Sequence, residues 1–229
     1  KGALPDAIAE KMMKHYDIGW WRFNLGVYGH EGIVRAKEQL IRKALEPHLG
    51  KAIEFEVWHR GDPLDKAAAR APGATSLQIV NWWGGRGGHM GFSPVMPPDG
   101  ALARKTFRAM KARFEEHGLD YYTSFTMGHR HINNVNILLY DRDDADMVAR
   151  ANRLFHVLIA DAKAAGFGEY RTHLDFMDPV AKSFDFNGGA LARFNETVKN
   201  AIDPNGIIAP GKNGIWPTAY KAHGQGEEA

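Results

Sequence analysis

The chain has 229 residues, 44% of them hydrophobic and 24% charged, the balance of an ordinary globular protein long enough for one large core or two small ones. Lysine and arginine (29) nearly cancel aspartate and glutamate (27), and the net charge of +2 argues against nucleic acid, an anionic membrane or any strongly charged partner. Cysteine is absent, which excludes disulfides, thiolate nucleophiles and cysteine-held zinc or iron–sulfur clusters, so redox chemistry needs a borrowed cofactor.

The chain starts Lys1-Gly2-Ala3-Leu4-Pro5, without methionine and without an apolar signal core, as a processed product or a fragment does. Apolar runs are far shorter than the roughly 20 residues of a spanning helix. A cytoplasmic chain is expected, or a periplasmic one if an upstream signal has been lost. Residues 18–29 (IGWWRFNLGVYG) are rich in aromatic and branched side chains and read as a strand. Residues 31–49 then carry apolar side chains at helical spacing up to Gly50, and residues 52–58 (AIEFEVW) alternate apolar and acidic positions like a half-buried strand. Residues 61–88, rich in glycine and proline, are too long for a plain connection.

The pattern resumes with a strand near residues 90–95 and a helix over 99–117 ending at Gly118. Strands over 121–127 and 133–140 follow, then a helix over 144–165 ending at Gly166. These spacings predict an α+β fold: an antiparallel sheet with helices on one face, in two ferredoxin-like halves. After Gly166 come a short segment (167–173), two helical stretches and a tail dense in turn residues. There Asp203-Pro204-Asn205-Gly206 reads as a type I turn and Ala209-Pro210-Gly211-Lys212 as a second. The domain expectation is residues 1–166 as one unit, 167–220 as a helical C-terminal extension and 221–229 as a frayed polar tail.

Eleven histidines raise the question of a metal, and His129-Arg130-His131 is their closest pair. With an arginine between them and no nearby acid it is a poor site and reads as a hairpin tip, so no metal is expected. There is no G-x-G-x-x-G after a strand, no P-loop and no nucleophile elbow. Three segments stand out: Gly84–Pro94 around His89, Gly168-Glu169-Tyr170-Arg171-Thr172-His173-Leu174, and the stretch from Asp203 to Pro217 with its Pro-Gly-Lys and Gly-Ile-Trp-Pro. Each alone has an ordinary account as a flexible loop, a strand edge or turn chemistry.

In this order and at this spacing the three segments resemble the C-terminal half of the vanillyl-alcohol oxidase family, from about Ile18 to Pro217. The tail motif alone points only to the broader FAD-linked oxidases. The resemblance implies a cap over a flavin, with a C-terminal extension that returns to the flavin domain. The FAD-binding N-terminal half is then a required partner, in the same polypeptide or a separate chain. It also implies oxidation of a 4-alkyl- or 4-hydroxyalkyl-phenol by hydride transfer from the benzylic carbon to FAD, through a p-quinone methide.

Such a hydride leaves readily only from an electron-rich ring, so a phenol of pKa about 10 should be bound as phenolate, favoured by a fixed cation and hydrogen-bond donors. By the resemblance, Tyr170 donates to the phenolate oxygen and Arg171 faces phenolate and flavin. Lys212 supplies a cation near flavin N1, and His89 bonds to the C8α methyl or makes an unlinked contact. Gly87, Gly88 and Gly91 would let the ring edge approach the backbone there. Ser93 and Ser124 line the substrate pocket. Neighbouring residues on a regular strand face opposite ways, so Tyr170 and Arg171 can share a ligand only if the backbone at 169–172 is irregular, or Arg171 curls around the ring edge.

A homodimer and a cytochrome electron acceptor are the further partners the resemblance allows. Two other readings compete. An FAD-linked 2-hydroxy-acid dehydrogenase would share the Pro-Gly-Lys tail but has no use for Tyr170-Arg171. A non-catalytic ferredoxin-like binding module would need an aromatic-basic surface that the near-zero charge does not provide.

Overall fold

The computed structural model describes residues 2–50, 57, 59 and 86–221. The chain divides into two compact units, Asp6–Ser76 and Lys1–Pro5 with Leu77–Ala229.

In the first unit, α1 (Asp6–Tyr16) and α2 (Glu31–Leu45) are the regular elements among the described residues. His30 caps α2 by accepting from the Gly32 amide at 3.4 Å, and Pro47 turns its end into a 3-10 turn over Glu46–His48, so the helix stops short of the expected residue 49. Glu31–Arg35 and Glu38–Arg42 line its surface at four-residue spacing. The strand expected over residues 18–29 does not form. Its backbone is irregular and Trp20, Trp21, Phe23 and Leu25 are exposed. Aromatic and branched composition favours a strand only where a neighbour completes the ladder, and the partner suggested by the sequence, residues 52–58, lies almost wholly outside the described residues, as do most of the 61–88 loop and the 222–229 tail.

The second unit is built on an antiparallel sheet of β1 (Gly87–Phe92), β2 (Pro94–Met96), β3 (Tyr122–Met127), β4 (Ile132–Asp141) and β5 (Gly168–Glu169). β4 is central. β3 pairs along one side of it, β1 and then β2 along the other, and β5 pairs with the outer edge of β2. The expected strand at 90–95 is thus broken in two, yet its register against β4 runs unbroken from Phe92↔Asn136 to Val95↔Asn133. β1 and β2 are one extended run interrupted at Ser93.

Two helices cross one face of this sheet. α3 (Gly100–Glu116) and α4 (Ala145–Ala164) start alike, with Asp99 accepting from the Leu102 amide at 2.8 Å and Asp144 from the Met147 amide at 3.0 Å. They end alike at Gly118 (φ 64°) and Gly166 (φ 78°), where the left-handed turn releases the chain back toward the sheet. The core between layers holds Met90, Phe92 and Leu138 from the sheet, Met110 and Phe114 from α3, and Leu154, Phe155 and Leu158 from α4. Inside it Asn134 and Asn136 are fully buried, but Thr123, Tyr121 and the Phe92 carbonyl satisfy them at 2.7–3.2 Å. Desolvation pushes the Tyr121 hydroxyl up to about 12, so it remains a donor.

The extension follows as a 3-10 turn over Leu174–Phe176, α5 (Met177–Ser183), α6 (Phe186–Ile202) and α7 (Thr218–Lys221). Phe176 stacks on Phe155 at 3.9 Å between ring centroids and ties the extension to the core. α6 opens with three successive left-handed residues, Asn187, Gly188 and Gly189, a kink that the Asn-Gly-Gly sequence makes tolerable. Among the described residues no helix is long and apolar enough to cross a membrane.

Candidate active site

Strand register brings the expected residues together. β4 pairs Val135 with Ser124 of β3, and the unbroken register of β1 and β2 sets Ser93 against the same Val135. On the outer edge Pro94 pairs with Glu169, so Tyr170, the next residue, leaves β5 beside Ser93. Ser124, Val135, Ser93 and Tyr170 therefore form one row across the sheet. His89 stands four residues back along β1, roughly 13 Å at strand rise. Side-chain alternation puts His89 and Ser124 on the face opposite α3 and α4, and both are exposed.

The backbone bends at Tyr170 and Arg171 immediately after β5, which is the irregularity the pair required. Arg171 Cζ lies 5.8 Å from the centre of the Tyr170 ring, so cation and phenol share one corner. Tyr170 is 53% exposed and Arg171 is exposed too. Ser93 is buried; its amide donates to Glu169 Oε1 at 3.2 Å.

The glycines near His89 divide. Among the described residues a Cβ on Gly91 would meet nothing within 4 Å, two residues from His89 on the same face. Gly88 has another reason: a Cβ there would come within 2.5 Å of the Tyr140 ring on the core side. Gly84 and Gly85 lie outside the described residues.

Both expected turns form in the tail. The Gly206 amide bonds the Asp203 carbonyl at 3.0 Å, and the Lys212 amide bonds the Ala209 carbonyl at 3.2 Å. Asp203 is buried and accepts from Lys199 Nζ at 2.6 Å and from the Ile207 and Ile208 amides, each at 2.9 Å; foremost the Lys199 ammonium holds it below the usual carboxylate range. Gly211 (φ 79°) lies under the Trp216 ring, where a Cβ would approach to 2.5 Å, and Trp216 Nε1 donates to Asp178 Oδ1 at 2.8 Å. Asp178 thus has a structural task. Lys212 is exposed on the 3-10 turn Lys212–Gly214, and Asn213, Gly214, Ile215 and Trp216 wall a cavity of about 300 Å³ together with Tyr170 and Glu169.

Sequence reading passed over Glu169. It is 8% exposed, and burial raises its pKa to about 7 against the partial relief of the Ser93 amide, the Thr172 hydroxyl and Arg171. His129 and His131 flank the β3–β4 hairpin, closed by the Gly128 amide on the His131 carbonyl at 2.9 Å, and among the described residues no group of three potential ligands could hold a metal.

The sheet thus carries a histidine and small polar residues on the face opposite α3 and α4, with a Tyr-Arg corner at its edge. The family of FAD linked oxidases, C-terminal domain, matches residues 34–213, and the chain belongs to it. It is 31% identical over 219 residues to the 4-cresol dehydrogenase [hydroxylating] flavoprotein subunit of Pseudomonas putida, covering 93% of this chain and 41% of that protein. Among solved structures it resembles 4-ethylphenol oxidase from Gulosibacter chungangensis in complex with isoeugenol (TM-score 0.80, 28% identity), over 96% of this chain and 44% of that one. It also resembles p-cresol methylhydroxylase with substrate bound (TM-score 0.77, 27% identity), over 94% and 42% of the two chains. The chain spans about two fifths of the length of these relatives, and the resemblance read from its three motifs is borne out.

Proposed function

We propose that this chain is the substrate-capping, C-terminal part of a flavoprotein that oxidises 4-alkyl- or 4-hydroxyalkyl-phenols through a p-quinone methide. The observation that carries the reading is the row Ser124, Val135, Ser93 and Tyr170, with Arg171 in the same corner and His89 on β1, four residues before Ser93. The three relatives, each named for a 4-substituted phenol, support it.

Each residue has a task that follows from its chemistry. Arg171 keeps its charge at any working pH and favours the phenolate over the phenol. Tyr170 donates its hydroxyl to the same oxygen, fixing the ring by a second point. The small side chains of Ser93 and Ser124 leave room beside the ring for a para substituent. Once the benzylic hydride has left, the phenolate has lost its negative charge and become a neutral quinone methide, so the Arg171 attraction weakens and release is eased.

The residues present fit an FAD ring. His89 is exposed, as a contact or covalent link to the flavin edge requires, and Lys212 provides an exposed cation next to the cavity wall shared with Tyr170. FAD, when bound, supplies the hydride acceptor. The remaining flavin contacts belong to an FAD-binding N-terminal portion. One relative is named as a subunit, which makes a second chain, including an electron-accepting cytochrome or a second copy, the partner to look for.

Turnover by the complete flavoprotein of 4-ethylphenol and p-cresol against lactate tests the reading. Phenol oxidation that falls about 100-fold in kcat with Arg171→Ala, the scale of a lost transition-state donor, is the expected result. Lactate oxidation without phenol oxidation would overturn it.

A further inference from the structure

The corner that carries Tyr170 and Arg171 is bracketed by two buried polar groups that those residues do not use. Glu169 precedes it and Thr172 follows it. Glu169 Oε1 accepts from the Ser93 amide at 3.2 Å, reaching into the gap between β1 and β2 where the sheet ladder is interrupted. Glu169 Oε2 and Thr172 Oγ are both fully shielded from solvent, and among the described residues neither reaches another group within ordinary hydrogen-bond limits. They nevertheless lie close enough for the hydroxyl to stabilise the carboxylate form against desolvation. Two unsatisfied polar atoms in one buried place are costly, and one hydrogen bond between them removes both penalties.

We propose that Glu169 is a positioning residue for the phenol-binding corner: with Oε1 on the Ser93 amide and Oε2 bonded to the Thr172 hydroxyl, it clamps the Tyr170–Arg171 bend at the place beside Ser93. The inference rests on the phenol reading above and names what holds that site in shape. Glu169 itself touches no reacting atom.

Burial favours the neutral acid, whereas the Ser93 amide, the Thr172 hydroxyl and Arg171 favour the carboxylate. Arg171 is the charge that acts on Glu169. β2 contributes no ionisable side chain. The last turns of α4 contribute Asp161 and Lys163, which are engaged by Arg113 and Asp185. From α5, Asp178 accepts from Trp216 and Lys182 is exposed, while α6 sets Glu196 on the wall of the same cavity. Burial outweighs Arg171 and pushes the Glu169 carboxyl up to about 7. Either form can make the clamp: a carboxylate accepts from both the Ser93 amide and the Thr172 hydroxyl, and the protonated acid accepts from Ser93 while donating to Thr172 Oγ. Neutrality leaves Arg171 free for a phenolate; an ionised Glu169 would compete for its charge.

The test uses the complete flavoprotein carrying Glu169→Gln, Glu169→Leu or Thr172→Val, with p-cresol as substrate. Glutamine retains one acceptor and one donor and should hold KM within about threefold, whereas leucine should raise KM about tenfold with a smaller change in kcat, the scale of one or two lost buried hydrogen bonds. Thr172→Val should raise KM in the same direction, and combining it with Glu169→Leu should add little. An unchanged KM in Glu169→Leu, or glutamine as damaging as leucine, would overturn the proposal. Amide exchange at Ser93 is read in parallel and does not depend on the substrate. Protection should persist in Glu169→Gln and fall in Glu169→Leu, and equal protection in both refutes the clamp. If no phenol is turned over at all, the functional reading fails while Ser93 exchange still decides the clamp.

Discussion

The sheet and the C-terminal extension place their site residues by different physical means. On the sheet, position is a matter of register. His89 and Ser124 face away from α3 and α4 because Met90, Phe92 and Leu138 face toward them, and a slip of one residue would exchange the two sets. That position is set by many apolar contacts at once. In the extension, single contacts decide. Trp216 is seated by one bond to Asp178 and by the absence of a side chain at Gly211, and the turn after α6 hangs on Asp203 and Lys199. Damage to the sheet should therefore be global, and damage to the extension local.

Phe155→Ala should have the largest effect, because its ring meets both Phe92 of the sheet and Phe176 of the extension. A loss of about 3–5 kcal/mol in urea unfolding is expected, with both regions melting together. Separate transitions would show that the two are less coupled than the shared stack implies.

Next in size is the pH dependence from Glu169. Its folded pKa of about 7 lies above the ordinary glutamate value of 4.5, so its contribution to stability is complete below pH 4.5 and is lost as pH rises toward 7. Between those values the wild type should lose on the order of 3 kcal/mol relative to Glu169→Gln, and parallel stability curves would show that the carboxyl is not buried in solution. Gly211→Ala comes third, at about 2 kcal/mol from the left-handed backbone and the crowded Trp216 ring. Its exchange effects should stay within the tail; spread into β4 would break the contrast. His89→Ala should change stability by less than about 0.5 kcal/mol, being exposed. Flavin fluorescence on a denaturing gel of the complete flavoprotein should then vanish if the link is covalent, and undiminished fluorescence would refute the link.

Much of this was legible in the chain. α3 and α4 announce themselves because aspartate, apolar periodicity and glycine agree at both ends, and the two tail turns because Asp203 and Pro210 sit where turns need them. The strand at residues 18–29 was misread because aromatic composition speaks for burial and branching, while a strand also needs a neighbour. α2 ended early for a local reason, Pro47, that its apolar spacing masked. His89, Tyr170, Arg171, Lys212 and the two serines came from motif resemblance, and register explains why four of them, His89, Ser93, Ser124 and Tyr170, gather on the sheet. Glu169 was hidden because its burial depends on an amide 76 residues earlier in the chain. The one local hint was an acid embedded between Phe167 and Tyr170 in a segment otherwise read as an edge strand.

β3 has a further consequence. Its backbone is paired with β4 along its whole length, from Tyr122↔Ile137 to Met127↔Ile132, while Tyr122, Ser124 and Thr126 project exposed side chains on the face opposite α3 and α4. Substitutions there cost the fold little, typically within about 0.5 kcal/mol. Mutations can accumulate at these three positions and reshape the chemistry of that face while the residues that hold the domain together stay unchanged.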